Sequence, residues 1–209
     1  MAKRSSLHPV ALAALLPVLA GCAVRRGAGD ASPRPSPSSD RGAQEREVYG
    51  AVLRAVAAQP DVGALVVDPE LPAVGPGDIA VVSGRLSQVR GDTRADYLAR
   101  TETRRLPADL DPGVPVSRLS AAEFRAMPLP AGTDANGENT ARWQEFHRRY
   151  GASAAWIRLS QVGFSGDGTE AVVHVWTAGS SLGGGGALVV LRRERGAWVV
   201  RRRAATAIS

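Results

Sequence analysis

Cysteine and lysine are almost absent from this chain, which has one of each, Cys22 and Lys3. A lone thiol cannot form a disulfide within the chain, and nothing after Cys22 can serve as a cysteine nucleophile or thiolate ligand. Histidine is also scarce, and His147 and His174 lie far apart with no paired spacing. A zinc site needs three or four converging ligands, so we expect no metal and no cofactor.

Two catalytic signatures are also missing. The run Gly183–Gly186 is followed by strand-forming residues, with no lysine and no helix start after it, so it does not predict a phosphate loop. The spacing Gly-x-Ser-x-Gly occurs at Gly179-Ser-Ser-Leu-Gly183, but strand-forming residues follow it and the strand-to-helix turn of a nucleophile elbow is missing. We interpret the glycines as a hairpin connection.

No apolar run is long enough to span a bilayer. The longest, Leu7 to Ala20, is interrupted by prolines and falls short of the roughly 20 apolar residues that a spanning helix needs. It follows the positive pair Lys3 and Arg4 and ends in small residues, which is the pattern of an export signal. The sequence predicts a signal peptide over residues 1–21.

The segment Leu19-Ala-Gly-Cys22 resembles the lipobox of bacterial lipoproteins. The resemblance implies that Cys22 is acylated and becomes the mature N-terminus, so that a lipid anchor holds the protein on a membrane of the cell envelope. Ala23 stands where an aspartate would imply retention at the inner membrane, so the resemblance implies the outer membrane in a diderm and the outer face of the plasma membrane in a monoderm. An ordinary secretory signal with an incidental cysteine is the alternative.

Residues 22–43 combine proline and serine with few large apolar groups, which predicts a disordered linker before a single domain over 44–209. Without Lys3 and Arg4, the chain keeps 24 basic and 20 acidic residues, and all of these basic residues are arginine. An exported, tethered protein rarely meets nucleic acid, so we expect none as a partner. Weak attraction to anionic lipid headgroups or envelope polymers fits this charge better.

Helix signals fill the first two thirds of the domain and strand signals fill the last. The predicted elements are a helix over 44–59, a strand over 64–67, a surface helix over 93–105, a short helix capped by Ser120 and Glu123, and a helix over 139–150. Strands are expected over 154–164, 169–178, 187–193 and 198–203, joined by short connections that favour antiparallel pairing. The sequence therefore predicts an α+β fold, with N-terminal helices packed on one face of a C-terminal four-stranded antiparallel meander.

The last two of these strands carry a cluster of arginines. Its members are Arg192, Arg193, Arg195, Arg201, Arg202 and Arg203. They form a candidate basic patch, although charged residues at a sheet edge also prevent edge-to-edge aggregation.

The C-terminal third is similar to a module of uncharacterised bacterial proteins, often lipoproteins, with an L-S-x-V-G-F…G-x-W-x-V signature. The matching segments here are Leu159–Phe164 and Gly196–Val200. Many of those proteins carry two cysteines in the glycine-rich loop, and residues 179–183 have none. The resemblance supports the strands and implies no activity.

Three hypotheses for function remain open. The first is a non-enzymatic binding or interaction module for a protein or envelope partner. The second is a hydrolase of envelope polymer, which needs two converging carboxyls, and the third is a small-ligand-binding domain with a pocket between helices and sheet. A buried cleft lined by two carboxylates or by His174 would favour an enzyme.

Overall fold

The computed structural model describes residues 37–135, 137–181 and 183–208, which form five helices and nine strands. The helices are α1 Pro37–Ala57, α2 Pro76–Leu86, α3 Gly91–Leu98, α4 Ala121–Arg125 and α5 Glu138–Tyr150. The strands are β1 Ala64–Val67, β2 Glu70–Leu71, β3 Arg104–Arg105, β4 Val116–Arg118, β5 Ala154–Leu159, β6 Gly163–Phe164, β7 Glu170–Ala178, β8 Gly184–Glu194 and β9 Ala197–Ile208. Helix α1 begins at Pro37, inside the range 22–43 of the predicted linker. The predicted signal peptide and Cys22 lie outside the described residues.

Seven strands form one mixed sheet in the order β4-β1-β5-β7-β8-β9, with β6 pairing β7, and β2 and β3 form a separate ribbon. Strand β1 runs parallel to both β4 and β5, while the pairs from β5 onward are antiparallel. The prediction of a four-stranded antiparallel meander is therefore wrong. The antiparallel run is extended by two parallel strands, because the chain between them is long enough to supply the crossovers that parallel pairing requires.

Side chains alternate between the two faces of each strand, and one face is covered by α1. Leu65, Ile157, Val173 and Val189 point to this side and are at most 2% exposed. Helix α1 contributes the stripe Val48, Val52, Leu53 and Val56, and all of these belong to one continuous apolar cluster. We call this side of the sheet the closed face.

The opposite side is covered by two separate groups of helices, which corrects the prediction of helices on one face only. Helices α4 and α5 bury Phe124, Trp143 and Phe146 against β1 and β5. Helices α2 and α3 bury Val82, Leu86 and Tyr97 against β7 and β8. Because the two apolar clusters are separate, we call this side the divided face.

An ion-pair network joins α1 to α3. Arg41 donates to an Asp96 oxygen at 2.8 Å, and Arg100 and the Phe164 N–H also donate to this carboxylate. Burial alone would raise the pKa of Asp96, but these hydrogen bonds outweigh it and lower the pKa to about 2. The network therefore holds a helix of the closed face to a helix of the divided face.

In the described part of the chain, no helix combines the length and the apolar character needed to cross a membrane.

Candidate functional site

A cleft of about 340 Å³ opens on the divided face where α2 and α3 meet strands β5 and β7. Strands β5 and β7 supply its floor with Arg158, His174 and Trp176, and its wall includes Val81 of α2 and Tyr97 of α3. Val81 is 44% exposed and is a large apolar side chain at the rim. We call this feature the sheet cleft. Its volume lies within the range of small-molecule sites in proteins.

Arg158 and Trp176 stand directly opposite each other in the β5–β7 register, so their side chains share the cleft floor. Asp68, which follows β1 and is 1% exposed, lies 3.5 Å from the Arg158 Nε through its Oδ2 atom. Burial raises the pKa of Asp68, and a hydrogen bond from the Glu70 N–H and the charge of Arg158 act against that shift. This contact holds the guanidinium at its Nε atom. In the described residues, no group accepts a hydrogen bond from its two terminal nitrogens.

Tyr97 brings a buried hydroxyl to the cleft wall. The residue is fully buried, and its hydroxyl makes no hydrogen bond within the described part of the chain. Burial raises the pKa of Tyr97, and the Ser160 side chain, which lies near the Tyr97 hydroxyl without reaching hydrogen-bond geometry, acts in the opposite direction. An unpaired hydroxyl at such depth carries a desolvation cost that a bound acceptor would relieve.

The position of Tyr97 depends on close contact between α3 and the sheet. A Cβ on Gly163 would lie 2.5 Å from the Tyr97 Cβ and 2.8 Å from the Thr93 carbonyl oxygen, so only glycine permits this approach. Glu170 of β7 then fixes the start of the helix, because its Oε1 accepts from the Arg90 N–H at 3.0 Å and from the Thr93 hydroxyl at 3.1 Å. The helix is therefore held at two points.

His174 shares its strand face with Trp176. Its Nε2 lies 2.9 Å from the Thr206 hydroxyl of β9, across Gly186 of β8. A Cβ at Gly186 would approach the His174 Nε2 to 2.9 Å and the Thr206 Oγ1 to 2.5 Å, so the glycine makes room for this contact. Burial lowers the pKa of His174, and Asp78 offsets part of the shift, which leaves the ring neutral at neutral pH.

Asp78 is the carboxylate among the residues that line the cleft. One of its oxygens accepts from the Gly75 N–H at 3.1 Å, in the first turn of α2. The helix N-terminus stabilises its negative charge. The cleft thus combines the Asp78 carboxylate, which caps α2, with the Arg158 guanidinium, which Asp68 holds, and the neutral His174 imidazole.

A wider depression of about 540 Å³ lies at the glycine-rich connection, near Arg203 and the end of α1. It is lined largely by glycine and alanine, and it is wider and more exposed than the sheet cleft.

Among the described residues, no three histidine, cysteine or acidic side chains converge to hold a metal ion. The sheet cleft is the better candidate site because its polar side chains are fixed by burial and by neighbours.

The six predicted patch arginines do not form one surface. Arg192, Arg201 and Arg202 line a groove on the side of Val190, which belongs to the divided face. Arg193 contacts Glu47 of α1 on the closed side, Arg203 lines the depression near the end of α1, and Arg195 lies in the β8–β9 turn with a positive φ of 50°. Strand alternation explains most of this division, since neighbouring residues point to opposite faces. Arg201 lies on the same side as Arg202 because the register shift between Val190 and Leu191 places a bulge there.

Acidic side chains also pair with part of this set. Arg192 lies 3.8 Å from Glu170, and Arg201 forms a bidentate contact with Glu194. Pairing lowers the local positive charge, so the groove is less basic than the six arginines alone would suggest.

Sequence reasoning did not identify Tyr97, Arg158 or Trp176 as site residues. Arg158 carried a usable signal, because it is a charged residue within the apolar strand Ala154–Leu159, on the same face as Trp156. The role of Tyr97 had no local signal, since it depends on contact with residues more than sixty positions away. Comparison of the chain with family models, curated proteins and solved structures yields no match, so the site rests on its own geometry.

Proposed function

We propose that this chain is a lipid-anchored lipoprotein of the bacterial envelope whose domain binds a small molecule in the sheet cleft. The geometry of the cleft supports the proposal that the domain binds a small molecule. Arg158 and Tyr97 line a space bounded by Trp176 and other apolar side chains, and no described group accepts a hydrogen bond from the Arg158 terminal nitrogens or the buried Tyr97 hydroxyl. Convergent polar groups in a mostly apolar pocket are typical of ligand sites.

The anchor part of the proposal rests on Leu19-Ala-Gly-Cys22. Cys22→Ser removes the thiol that would be acylated, so labelling of the protein by an alkyne fatty acid in cells should disappear. Ser39→Ala, a similarly small change in the predicted linker, should leave labelling intact. Persistent labelling of the Cys22→Ser protein would refute the anchor without bearing on the cleft.

The binding part can be tested by filling the cleft. Ala73 lines it and is half-buried, so Ala73→Trp should occupy the space. Ala80 is exposed on α2 and does not line the cleft, so Ala80→Trp adds the same ring outside it. Neutral benzyl alcohol and 1-naphthalenemethanol should bind the native and Ala80→Trp proteins in calorimetry and should fail to bind Ala73→Trp. Equal binding to both variants, or no binding to the native protein, would contradict this function.

A hydrolase of envelope polymer is the second candidate, and the position of His174 in the cleft is the observation that favours it. A neutral imidazole can accept a proton. However, its Nε2 already contacts Thr206, and one carboxylate lines the cleft where a glycosidase needs two. Release of soluble fragments from purified peptidoglycan by the native protein, lost in His174→Gln, would favour the enzyme over the binding module.

A further inference from the structure

We infer that the ligand of the sheet cleft is a small monoanion in which one carboxylate is joined to a flat apolar ring. This inference rests on the proposed function and adds the chemical class of the ligand. Three features of the cleft support it: the terminal nitrogens of Arg158, the ring of Trp176 opposite Arg158, and the buried hydroxyl of Tyr97.

The guanidinium sets the charge of the ligand. Asp68 holds Arg158 at Nε, Arg158 lines the cleft, and no described group accepts a hydrogen bond from its terminal nitrogens. Two parallel N–H groups match the two oxygens of a carboxylate. Asp78 does not compete for this position, because its carboxylate accepts from the backbone at the start of α2.

One cation also limits the charge of the ligand. No other arginine or lysine lines the cleft among the described residues. Because Asp68 already shares the positive charge of Arg158, a phosphate dianion would remain far less compensated in this half-buried space than a carboxylate monoanion. A protonated amine would be repelled by the positive charge of Arg158.

The floor beside the guanidinium sets the shape of the ligand. Trp176 is half-buried directly opposite Arg158, and its neighbour on the next strand, Gly186, has no side chain to cover it. Val81 and Val74 add apolar surface at the wall. A flat ring can stack on the indole while its carboxylate reaches the guanidinium, and offset stacking of aromatic rings is favourable.

The Tyr97 hydroxyl supplies the remaining contact. It is buried without a hydrogen-bond partner in the described structure, and it borders the same space. An oxygen of the ligand can accept from it, which removes the cost of the unpaired donor. The carboxylate has lone pairs left for this purpose after the guanidinium contact.

Three naphthalene probes test the inference, because they share one ring system and differ in charge. They are 1-naphthoate, neutral 1-naphthalenemethanol and cationic 1-naphthylmethylamine, titrated into the full mature protein in phosphatidylcholine nanodiscs. The Ala73→Trp protein in identical nanodiscs is the blank, so that partition into lipid cancels. We expect 1-naphthoate to bind at least about tenfold more tightly than the alcohol, and the amine to bind least.

Variants then test whether Arg158 causes the preference for the carboxylate probe. Arg158→Gln should weaken 1-naphthoate binding by about 10- to 100-fold and change binding of the alcohol by less than about threefold. Arg54→Gln, at an exposed position of α1 on the other side of the sheet, should change neither. Tyr97→Phe should weaken 1-naphthoate binding by several-fold without lowering the melting temperature, because the hydroxyl has no partner to lose.

The outcomes separate this inference from the function on which it rests. Equal binding of the carboxylate and the alcohol, or insensitivity to Arg158→Gln, would overturn the monoanion and leave a cleft that binds small molecules. Preference for the amine would overturn it as well and would make Asp78 the counter-ion. Failure of all three probes to bind above the Ala73→Trp blank would count against both proposals.

Discussion

The two faces of the sheet use the same strands in different ways. On the closed face, one long helix covers a continuous apolar cluster that runs from β1 to β9. On the divided face, two pairs of short helices cover separate parts of the sheet and leave Arg158, His174 and Trp176 partly accessible in the sheet cleft. Continuous burial stabilises a fold, and interrupted burial leaves a place for other molecules.

This difference separates stability from binding along a single strand. In β7, Val173 and Val175 point to the closed face and are at most 1% exposed, while His174 and Trp176 point to the cleft. Substitutions one residue apart should therefore have different consequences. The four changes below test this separation, from the largest expected effect to the smallest.

Trp198→Ala removes a large side chain from the closed face. The ring is 6% exposed, and its centroid lies 5.7 Å from that of Phe164. We expect a loss of about 3–5 kcal/mol in the free energy of unfolding, measured by urea denaturation. Trp176→Ala on the divided face should cost less than half as much, because that ring is half-buried. Equal losses would show that the faces do not differ in this way.

Gly163→Ala tests how α3 is held on the divided face. The added methyl group would meet the Tyr97 Cα at 2.7 Å and the Thr93 carbonyl oxygen at 2.8 Å, which are backbone atoms. We expect a loss of about 1–3 kcal/mol in urea denaturation, with weaker binding of cleft ligands because Tyr97 must move. Gly84→Ala, where nothing lies within 4 Å, is the matched control and should be neutral or stabilising. An unchanged Gly163→Ala protein would mean that the helix shifts freely.

Asp96→Asn tests the ion pairs that connect a helix of each face. The pKa of Asp96 is about 2, below its ordinary value of 3.8, so the fold favours the ionised form. Its contribution is therefore complete above about pH 5 and is lost as the pH falls through about 2. We expect the variant to lose about 1–2 kcal/mol at neutral pH, and the difference from the native protein to disappear near that pKa. A difference that stays constant with pH would contradict this assignment.

Val81→Ser should affect binding with little effect on stability. Val81 is 44% exposed at the rim of the cleft, so the free energy of unfolding should change by less than about 0.5 kcal/mol. Binding of 1-naphthalenemethanol should weaken by several-fold in calorimetry, because apolar contact is lost. Val52→Ser is the counterpart on the closed face, where the side chain is 1% exposed, and should cost about 2 kcal/mol or more. Similar losses of stability for the two valines would contradict the comparison.

Local sequence signals predicted most of the individual elements. The capping box at Ser120 and Glu123 is present, with the Ser120 Oγ accepting from the Glu123 N–H. Helix α5 and strand β1 lie where the sequence places them. These features depend on residues a few positions apart, which is why their patterns were informative.

Features that depend on distant residues were not predicted. Helix α2 was not among the predicted elements, and it forms because burial of Val82 and Leu86 against the sheet outweighs its glycines. The parallel edge was missed because the pairing of Leu65 with Val116 and Ala155 leaves no local trace. The cleft was missed for the same reason, since its residues come from four separate elements.

The pairing of strand β1 limits when the sheet can form during synthesis. Its hydrogen-bonded neighbours are residues 116–118 and 154–157, so it has no sheet partner until most of the chain has been made. Helix α1 likewise packs against strands that end near the C-terminus. A growing chain therefore stays without its sheet for most of synthesis, since distant pairings must wait for both partners. This order suits the export that we propose, because a chain without its sheet can pass through a translocation channel in an open form.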